Sequence, residues 1–325
     1  MTVLRDEMIT LFGGSGFVGR YVARALAKAG YRVRVATRNP HLAYFLKPMG
    51  AVGQIQLVQA NVRDADSVAR AIDGAWGVVN LVGILSEGGR QTFAALQARG
   101  AGAVAQAARD AGIERFVQIS AIGADADSPS KYARTKAEGE RLVREALPGA
   151  VILRPSIVFG TEDGFYNKFA DMARFTPALP LIGGGKTRFQ PIHVADVAAA
   201  AVSALENPAH RGRTFELGGP RTYSFKEVLE YITATIQRPR LLAPLPFPVA
   251  GAIGAAGEMA AALPFVQAPL TRDQVEMLKS DNVVGAGGEG LGTIADFGIT
   301  PATVESIVPS YLYRYRKGGQ FAQPA

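Results

Sequence analysis

Apolar residues in the first half of the chain come in short unbroken runs. Each run is followed by a longer stretch in which they recur every third or fourth position. Unbroken runs suit strands covered on both faces, and the wider spacing suits helices with one buried side. The pattern predicts strands at Met8–Phe12, Arg32–Thr37, Ile55–Ala60, Gly77–Val82, Arg115–Ser120 and Ala150–Leu153, with helices at Phe17–Ala29, Ala65–Ile72, Phe93–Ala111 and Lys131–Ala146. Gly30 and Gly112 stand where two of these helices should end, because glycine reaches the left-handed conformation that closes a helix. Strands alternating with helices build an α/β fold, a Rossmann-type doubly wound parallel sheet. From about Gly160 the pattern changes: prolines thicken at Pro177, Pro180 and Pro191, and Gly183, Gly184 and Gly185 predict a flexible loop. Ser224 and Glu227 form a capping box for a helix over Phe225–Ile236, and Thr300 with Pro301 predicts the start of another through Val308. These shorter pieces imply a smaller mixed C-terminal lid domain.

The first chemistry lies between the first strand and the first helix, in Gly13-Gly14-Ser15-Gly16-Phe17-Val18-Gly19. Gly14, Gly16 and Gly19 read as one glycine spacing, and Gly13, Gly16 and Gly19 as another. Either one turns the chain sharply, lets bare amides approach a pyrophosphate, and packs the helix on the strand. The anion then rests at the positive end of a helix. Near the end of the second strand, where an NAD-binding protein offers an acid to the adenosine ribose, stands Arg38. A guanidinium matches a 2′-phosphate and favours NADPH; the bland reading is a solvated surface arginine. Asn61-Val62 and Leu81-Val82-Gly83 end the next two strands and should line the crevice at the sheet's carboxyl edge. Asn61 suits either an adenine edge or a cap for the helix that starts near Ala65.

After the fifth strand come Ser120 and then Tyr132 and Lys136, four apart and so on one helix face. A tyrosine can pass a proton to a carbonyl that receives hydride, provided that an ammonium beside it lowers its pKa. Ser120 can hydrogen-bond the same carbonyl. The change of pattern near Gly160 divides the chain into a nucleotide-binding domain over 1–159 and a smaller substrate or docking domain over 160–325.

Composition removes other classes. The net charge of +7 is spread thinly and argues against nucleic acid as a partner, while it suits phosphate-bearing ligands or an anionic surface. Cysteine is absent and only His41, His193 and His210 occur, which disfavours a metal centre. The short polar N-terminus carries no visible signal or presequence, so the expected place is a cytosol-like compartment. In the second half, His193 reads as a structural group or as a ligand for substrate, Asp196 as a helix-start residue, and Glu162 and Asp163 as a solvated turn or, given a substrate, as the polar groups facing it. Leu241–Leu270 is apolar but broken by prolines and Glu258 into pieces too short to span a bilayer. It is either buried under its own domain or docked on a partner or membrane, and the basic, aromatic tail over 311–317 suits such an interface.

Gly13, Gly16, Gly19, Ser120, Tyr132 and Lys136 together resemble the short-chain dehydrogenase/reductase superfamily. Arg154–Gly160 and Gln190–Val197 are similar to its extended and atypical branches. In those branches the segment after the sixth strand touches the nicotinamide, which implies contacts from Pro155, Ile157 and Val158. There too a Val-x-Asp-Val stretch begins a helix that goes back to the first domain, which implies that a segment near 190–206 returns to the nucleotide-binding domain. More narrowly, Ser130–Glu140, Phe159–Ala170 and Thr271–Glu276 resemble the NADPH-binding accessory subunits of respiratory complex I. That resemblance implies tightly held NADPH, other complex I subunits of the peripheral arm as partners, and contact with the surface of the energy-transducing inner membrane at its cytoplasmic or matrix face. It also implies a structural role for the nucleotide. The alternative is an active NADP-dependent reductase or epimerase on a small carbonyl or sugar-nucleotide substrate, with Ser120, Tyr132 and Lys136 catalytic. Two departures speak against it: Gln97 stands where enzymes of the superfamily place an asparagine, and the Ser120–Tyr132 interval is short.

Overall fold

The computed structural model describes residues 4–260, 270–285, 288 and 290–321 of the chain. The first half alternates as expected: β1 (Met8–Phe12), α1 (Phe17–Lys28), β2 (Arg32–Thr37), β3 (Ile55–Gln59), α2 (Ala65–Ile72), β4 (Gly77–Asn80), α3 (Arg99–Asp110), β5 (Arg115–Ile119), α4 (Lys131–Ala146) and β6 (Val151–Pro155). The sheet has eight strands in the order Gly292–Thr293, Thr214–Leu217, β6, β5, β4, β1, β2, β3, and every pair is parallel. The chain reverses direction across the sheet between β1 and β4, the switch point where this architecture opens a ligand crevice. β6 runs two residues past its predicted end because Thr214–Leu217, distant in sequence, pairs with it through Pro155.

Helices α1 and α3 both close as their glycines predicted. Gly30 and Gly112 take positive φ, the amides of Tyr31 and Ile113 return to Leu26 and Ala108, and the last carbonyls are satisfied. The predicted single helix Phe93–Ala111 instead opens with a π-helical turn, Ala94–Ala98. A Cβ on Gly139 of α4 would lie 2.2 Å from the Gln97 carbonyl, so the widened turn reaches α4 only because that position is bare. Behind the sheet, Phe12, Val68, Ile72, Val78, Val104, Phe116 and Val143 form one buried cluster. Each such side chain is worth about 1.5–3 kcal/mol when fully covered.

The chain divides into two compact units. The first comprises Met1–Pro155, Val194–Leu217 and Gly287–Thr300; the second comprises Ser156–His193, Gly218–Ala286 and Pro301–Ala325. In the second unit Phe159, Tyr166, Leu179, Phe225, Leu229 and Ile232 form the core. The capping box on Ser224 and Glu227 opens the helix Phe225–Thr235 as expected. Four other features differ from the sequence reading. The short helix Val304–Ile307 is capped by Thr303, not by Thr300. Gly183, Gly184 and Gly185 form one tight turn, all at positive φ, rather than a loose loop. Leu241–Leu245 is a strand parallel to Ala178–Ile182, followed by a helix over Phe247–Ala260; the predicted apolar residues Leu263–Val266 lie outside the described residues. That helix covers Ala250 and Gly254 and exposes Val249, Ile253 and Met259.

The fourth difference concerns Asp163 and the tail. Asp163 is neither solvated nor aimed at a substrate. It is buried, accepting hydrogen bonds from the Tyr311 hydroxyl at 2.6 Å and from the amides of Phe165 and Asn167 at 2.9 and 3.1 Å. Burial pushes its carboxyl above the usual range, and these donors hold it back. The tail is therefore part of the second unit's core at Tyr311 and Leu312, not a free arm. Arg316 Nε donates to the Thr235 carbonyl at 2.9 Å, and Tyr315 Oη to Asn167 Oδ1 at 3.0 Å.

Candidate nucleotide-binding site

The corner after β1 is made of backbone. Gly13 has φ +78°, which residues with side chains seldom adopt, and a Cβ there would lie 3.1 Å from the Leu81–Val82 peptide. At Gly19 a Cβ would stand 2.2 Å from the Gly13 carbonyl oxygen and 2.6 Å from Gly14 Cα. A Cβ on Gly14 would strike Leu11 and Val35 side chains at 2.8 Å. Gly16 is the N-cap of α1, extended, and no side chain caps the amides that follow in Phe17 and Val18. A positive helix end flanked by bare main chain is the complement of a pyrophosphate. Ser15 Oγ, 3.4 Å from Thr37 Oγ1, ties the loop to the end of β2, and Arg38 follows there, exposed.

The next two strand ends complete this edge. Asp64, not Asn61, caps α2, so of the two roles open to Asn61 the cap is taken. Asn61 Oδ1 instead accepts from the Arg63 amide at 3.1 Å, and Val62 is buried in the first unit's core. Leu81, Val82 and Gly83 leave β4, and a Cβ on Gly83 would lie 3.3 Å from Lys136 Nζ.

β5 and α4 supply the other side. Ser130 caps α4 by accepting from the Ala133 amide at 3.2 Å, which sets Tyr132 and Lys136 in the first and second turns. Lys136 is buried and its Nζ donates to the Ile119 carbonyl at 3.4 Å. Burial pushes its ammonium down to about 8, partly countered by the Glu140 carboxylate. The Tyr132 ring meets Phe93 edge-on at 5.8 Å, and Lys136 Nζ lies 5.7 Å from the Tyr132 ring centroid. Ser120 Oγ is buried and has no hydrogen-bond partner among the described residues. The buried orphan hydroxyl and the glycine cradle both fit a nicotinamide dinucleotide: the loop and Arg38 would hold the phosphates, while Tyr132 and Lys136 would hold the nicotinamide ribose. Pro155 ends β6 in the first unit and accepts from the Ile122 amide at 3.1 Å. Ile157 and Val158 belong to the second unit, where the Ile157 carbonyl accepts from Ile192 and Val158 pairs with the same residue.

Sequence reasoning missed the supports beneath these residues. Asn80 and Gln118 face each other across the β4–β5 register and join Nδ2 to Oε1 at 2.9 Å, both buried. Asn80 Oδ1 then holds the Val82 amide at 3.2 Å, and Gln118 Nε2 donates to the Ile119 carbonyl at 3.0 Å. Glu140, one turn beyond Lys136, accepts from both Nε and Nη2 of Arg154 at 2.9 and 2.6 Å. The available signal was polar residues inside otherwise apolar strands. Gln97 is buried and its Nε2 donates to the Ile84 carbonyl at 2.7 Å, so it braces the chain leaving β4.

Lys136 has a measurable consequence. Between pH about 8 and its ordinary 10.5 the unfolded chain binds more protons than the folded one. Stability therefore rises with pH across that window, and the full cost of the buried ammonium is present below it. In the nucleotide-free protein, Lys136→Met should raise the unfolding free energy at pH 7 by up to about 3 kcal/mol. The gain should shrink toward pH 10.5 in urea titrations. A loss of stability at pH 7 would mean that the ammonium is held by more than Ile119 and Glu140.

The chain matches the NAD dependent epimerase/dehydratase family over residues 9–218 and belongs to that family. It is 37% identical over 317 residues to the mitochondrial NADH dehydrogenase [ubiquinone] 1 alpha subcomplex subunit 9 of Arabidopsis thaliana, covering 95% of this chain and 78% of the plant protein. The corresponding subunit of Mus musculus is 36% identical over 309 residues, with 94% and 80% covered. Among solved structures, an NADPH-dependent quinone oxidoreductase from Escherichia coli in complex with NADPH has a similar fold. Its TM-score is 0.72 at 22% identity, covering 94% of this chain and all of that one (100%).

Proposed function

We propose that this chain is an accessory subunit of a complex I-type NADH:ubiquinone oxidoreductase and holds NADPH as part of its structure. The observation that carries the nucleotide half is the loop Gly13–Gly19, where added side-chain atoms would strike backbone and no side chain caps α1. The assembly half rests on identity to complex I subunits along nearly the whole chain. A ligand present far above its dissociation constant stabilises a fold by mass action, which is reason enough to retain it without turnover. Tyr132 and Lys136 then serve to bind the ribose, and Gln97 braces the chain leaving β4 by donating from Nε2 to the Ile84 carbonyl, with its buried Oε1 unpartnered among the described residues. No described helix is long and apolar enough to cross a membrane, and the reading places the protein peripherally on the matrix or cytoplasmic face, beside other subunits of the peripheral arm.

One observation favours the second reading, an active NADP-dependent reductase or epimerase. The buried Ser120 hydroxyl is free to orient a carbonyl beside Tyr132 and Lys136. Gentle purification followed by mass analysis of the bound nucleotide separates the two. The structural reading expects NADPH that exchanges slowly and is not consumed by carbonyl compounds, and a Tyr132→Phe chain that still assembles. Rapid exchange with turnover lost in Tyr132→Phe would establish the enzyme. Arg38→Ala should weaken NADPH binding by about tenfold or more, the worth of a charged hydrogen bond, and leave NADH nearly unchanged. Equal loss for both nucleotides in calorimetry would remove Arg38 from the 2′-phosphate.

A further inference from the structure

The first unit carries a surface that the nucleotide does not use. After Arg38 the chain forms a one-sided 3-10 segment, Pro40–Met49, on the flank of α1 and β3. Ala43 and Leu46 are buried and anchor it. Its outer side holds Leu42 at 67% exposure, Tyr44 at 60% and Phe45 at 40%, and Val52 just beyond is fully in solvent. Cations accompany the aromatic rings: Arg20 lies 4.7 Å above Phe45, and Lys47 5.1 Å from the centroid of Tyr44. Large apolar side chains left out in water on a monomer surface mark something that covers them.

The charge around them names the partner. From Met8 to Arg63 the chain contains eight Lys or Arg and no Asp or Glu, more than the whole protein's net charge of +7. Arg24, Lys28, Arg32, Arg38 and Lys47 of this stretch are exposed. An apolar and aromatic tip among cations, without a single acid, has the composition of an interfacial membrane anchor. The tips of Leu42 and Val52 project rather than line a groove, which suits a deformable phase better than a rigid protein surface with a matching hollow.

We propose that residues 40–53 dock this unit on an anionic phospholipid surface, with Leu42, Tyr44, Phe45 and Val52 entering the headgroup–acyl boundary and Arg20 and Lys47 meeting lipid phosphates. This is independent of the nucleotide's role, and it places lipid contact on the first unit rather than on the apolar helix of the second. The purified full chain, with its nucleotide bound, is floated with vesicles of phosphatidylcholine alone and of phosphatidylcholine with phosphatidylglycerol. The protein should partition onto the anionic vesicles and be released by high salt. The pair Leu42→Asp with Val52→Asp should reduce partitioning about tenfold or more, since two apolar insertions are lost. Both side chains are exposed, so the variant should keep its melting temperature. The pair Val249→Asp with Ile253→Asp should partition like the parent. No binding to anionic vesicles, equal binding to neutral ones, or loss of binding only in the Val249/Ile253 pair would each overturn the proposal.

Discussion

Gly19→Ala should remove most of the nucleotide affinity proposed for this chain while leaving the sheet folded. The added Cβ would sit 2.2 Å from the Gly13 carbonyl oxygen and 2.6 Å from Gly14 Cα, and neither neighbour is a flexible side chain. The only escape is for the loop to open or for α1 to retreat, and either takes the amides away from the place proposed for the pyrophosphate. Overpacking of this kind costs about 1–3 kcal/mol in the empty protein. The larger effect is on the ligand. Affinity for NADPH should fall by at least about a hundredfold, and with it the roughly 2.7 kcal/mol that a ligand at a hundred times its dissociation constant contributes. Gly251→Ala, where a Cβ meets nothing within 4 Å, is the control for the substitution itself. Calorimetric titration decides: if the Gly19 variant keeps affinity within a few-fold of the parent, the loop does not hold the pyrophosphate.

The second large effect lies beneath the site. Arg154→Met leaves the Glu140 carboxylate buried without the two charged hydrogen bonds, at 2.9 and 2.6 Å, that it receives from β6. The side chains are only 16% and 9% exposed, so water does little to replace the lost partner. Removing one member of a buried pair costs about 3–5 kcal/mol, whereas replacing both with apolar groups of similar volume can be nearly neutral. Arg154→Met should therefore lower the urea midpoint sharply, and the double change Arg154→Met with Glu140→Leu should recover only part of the loss, because the buried Glu216 opposite Arg154 in the sheet also loses its cation. A single variant within about 1 kcal/mol of the parent would mean that the pair is solvated in solution. The same measurement bears on the site, because α4 presents Lys136 one turn before Glu140.

The parts of this site that were legible beforehand share a physical origin. A glycine loop between an apolar run and a helical period is a local signal: the turn, the missing Cβ and the helix end all lie within a few residues. Tyr132 and Lys136 were legible for the same reason, since four positions on a helix determine a common face. Asn80 with Gln118 and Glu140 with Arg154 were not, because their partners are set by strand register and helix packing. A polar residue in an apolar strand announces that a partner exists without saying where it is.

The second half shows the same limit. Prolines at 244, 246 and 248 break the apolar segment into short pieces and give no pairing partner. Yet Leu241–Leu245 pairs with Ala178–Ile182, and a helix follows over Phe247–Ala260. Asp163 and Tyr311, 148 positions apart, became one buried contact, which put an expected solvated turn and the first two residues of the 311–317 tail into the core, while Tyr313, Arg314 and Lys317 stay exposed.

The sequence alone determined the alternation of strand and helix, the doubly wound class and the place of the glycine loop, because burial period and glycine geometry act over neighbouring residues. Only the tertiary structure decided which buried polar groups are paired, where β6 ends and which apolar side chains of the 3-10 segment remain in water. Those outcomes depend on contacts between distant parts of the chain, and their energies exceed the local preferences that a pattern can report.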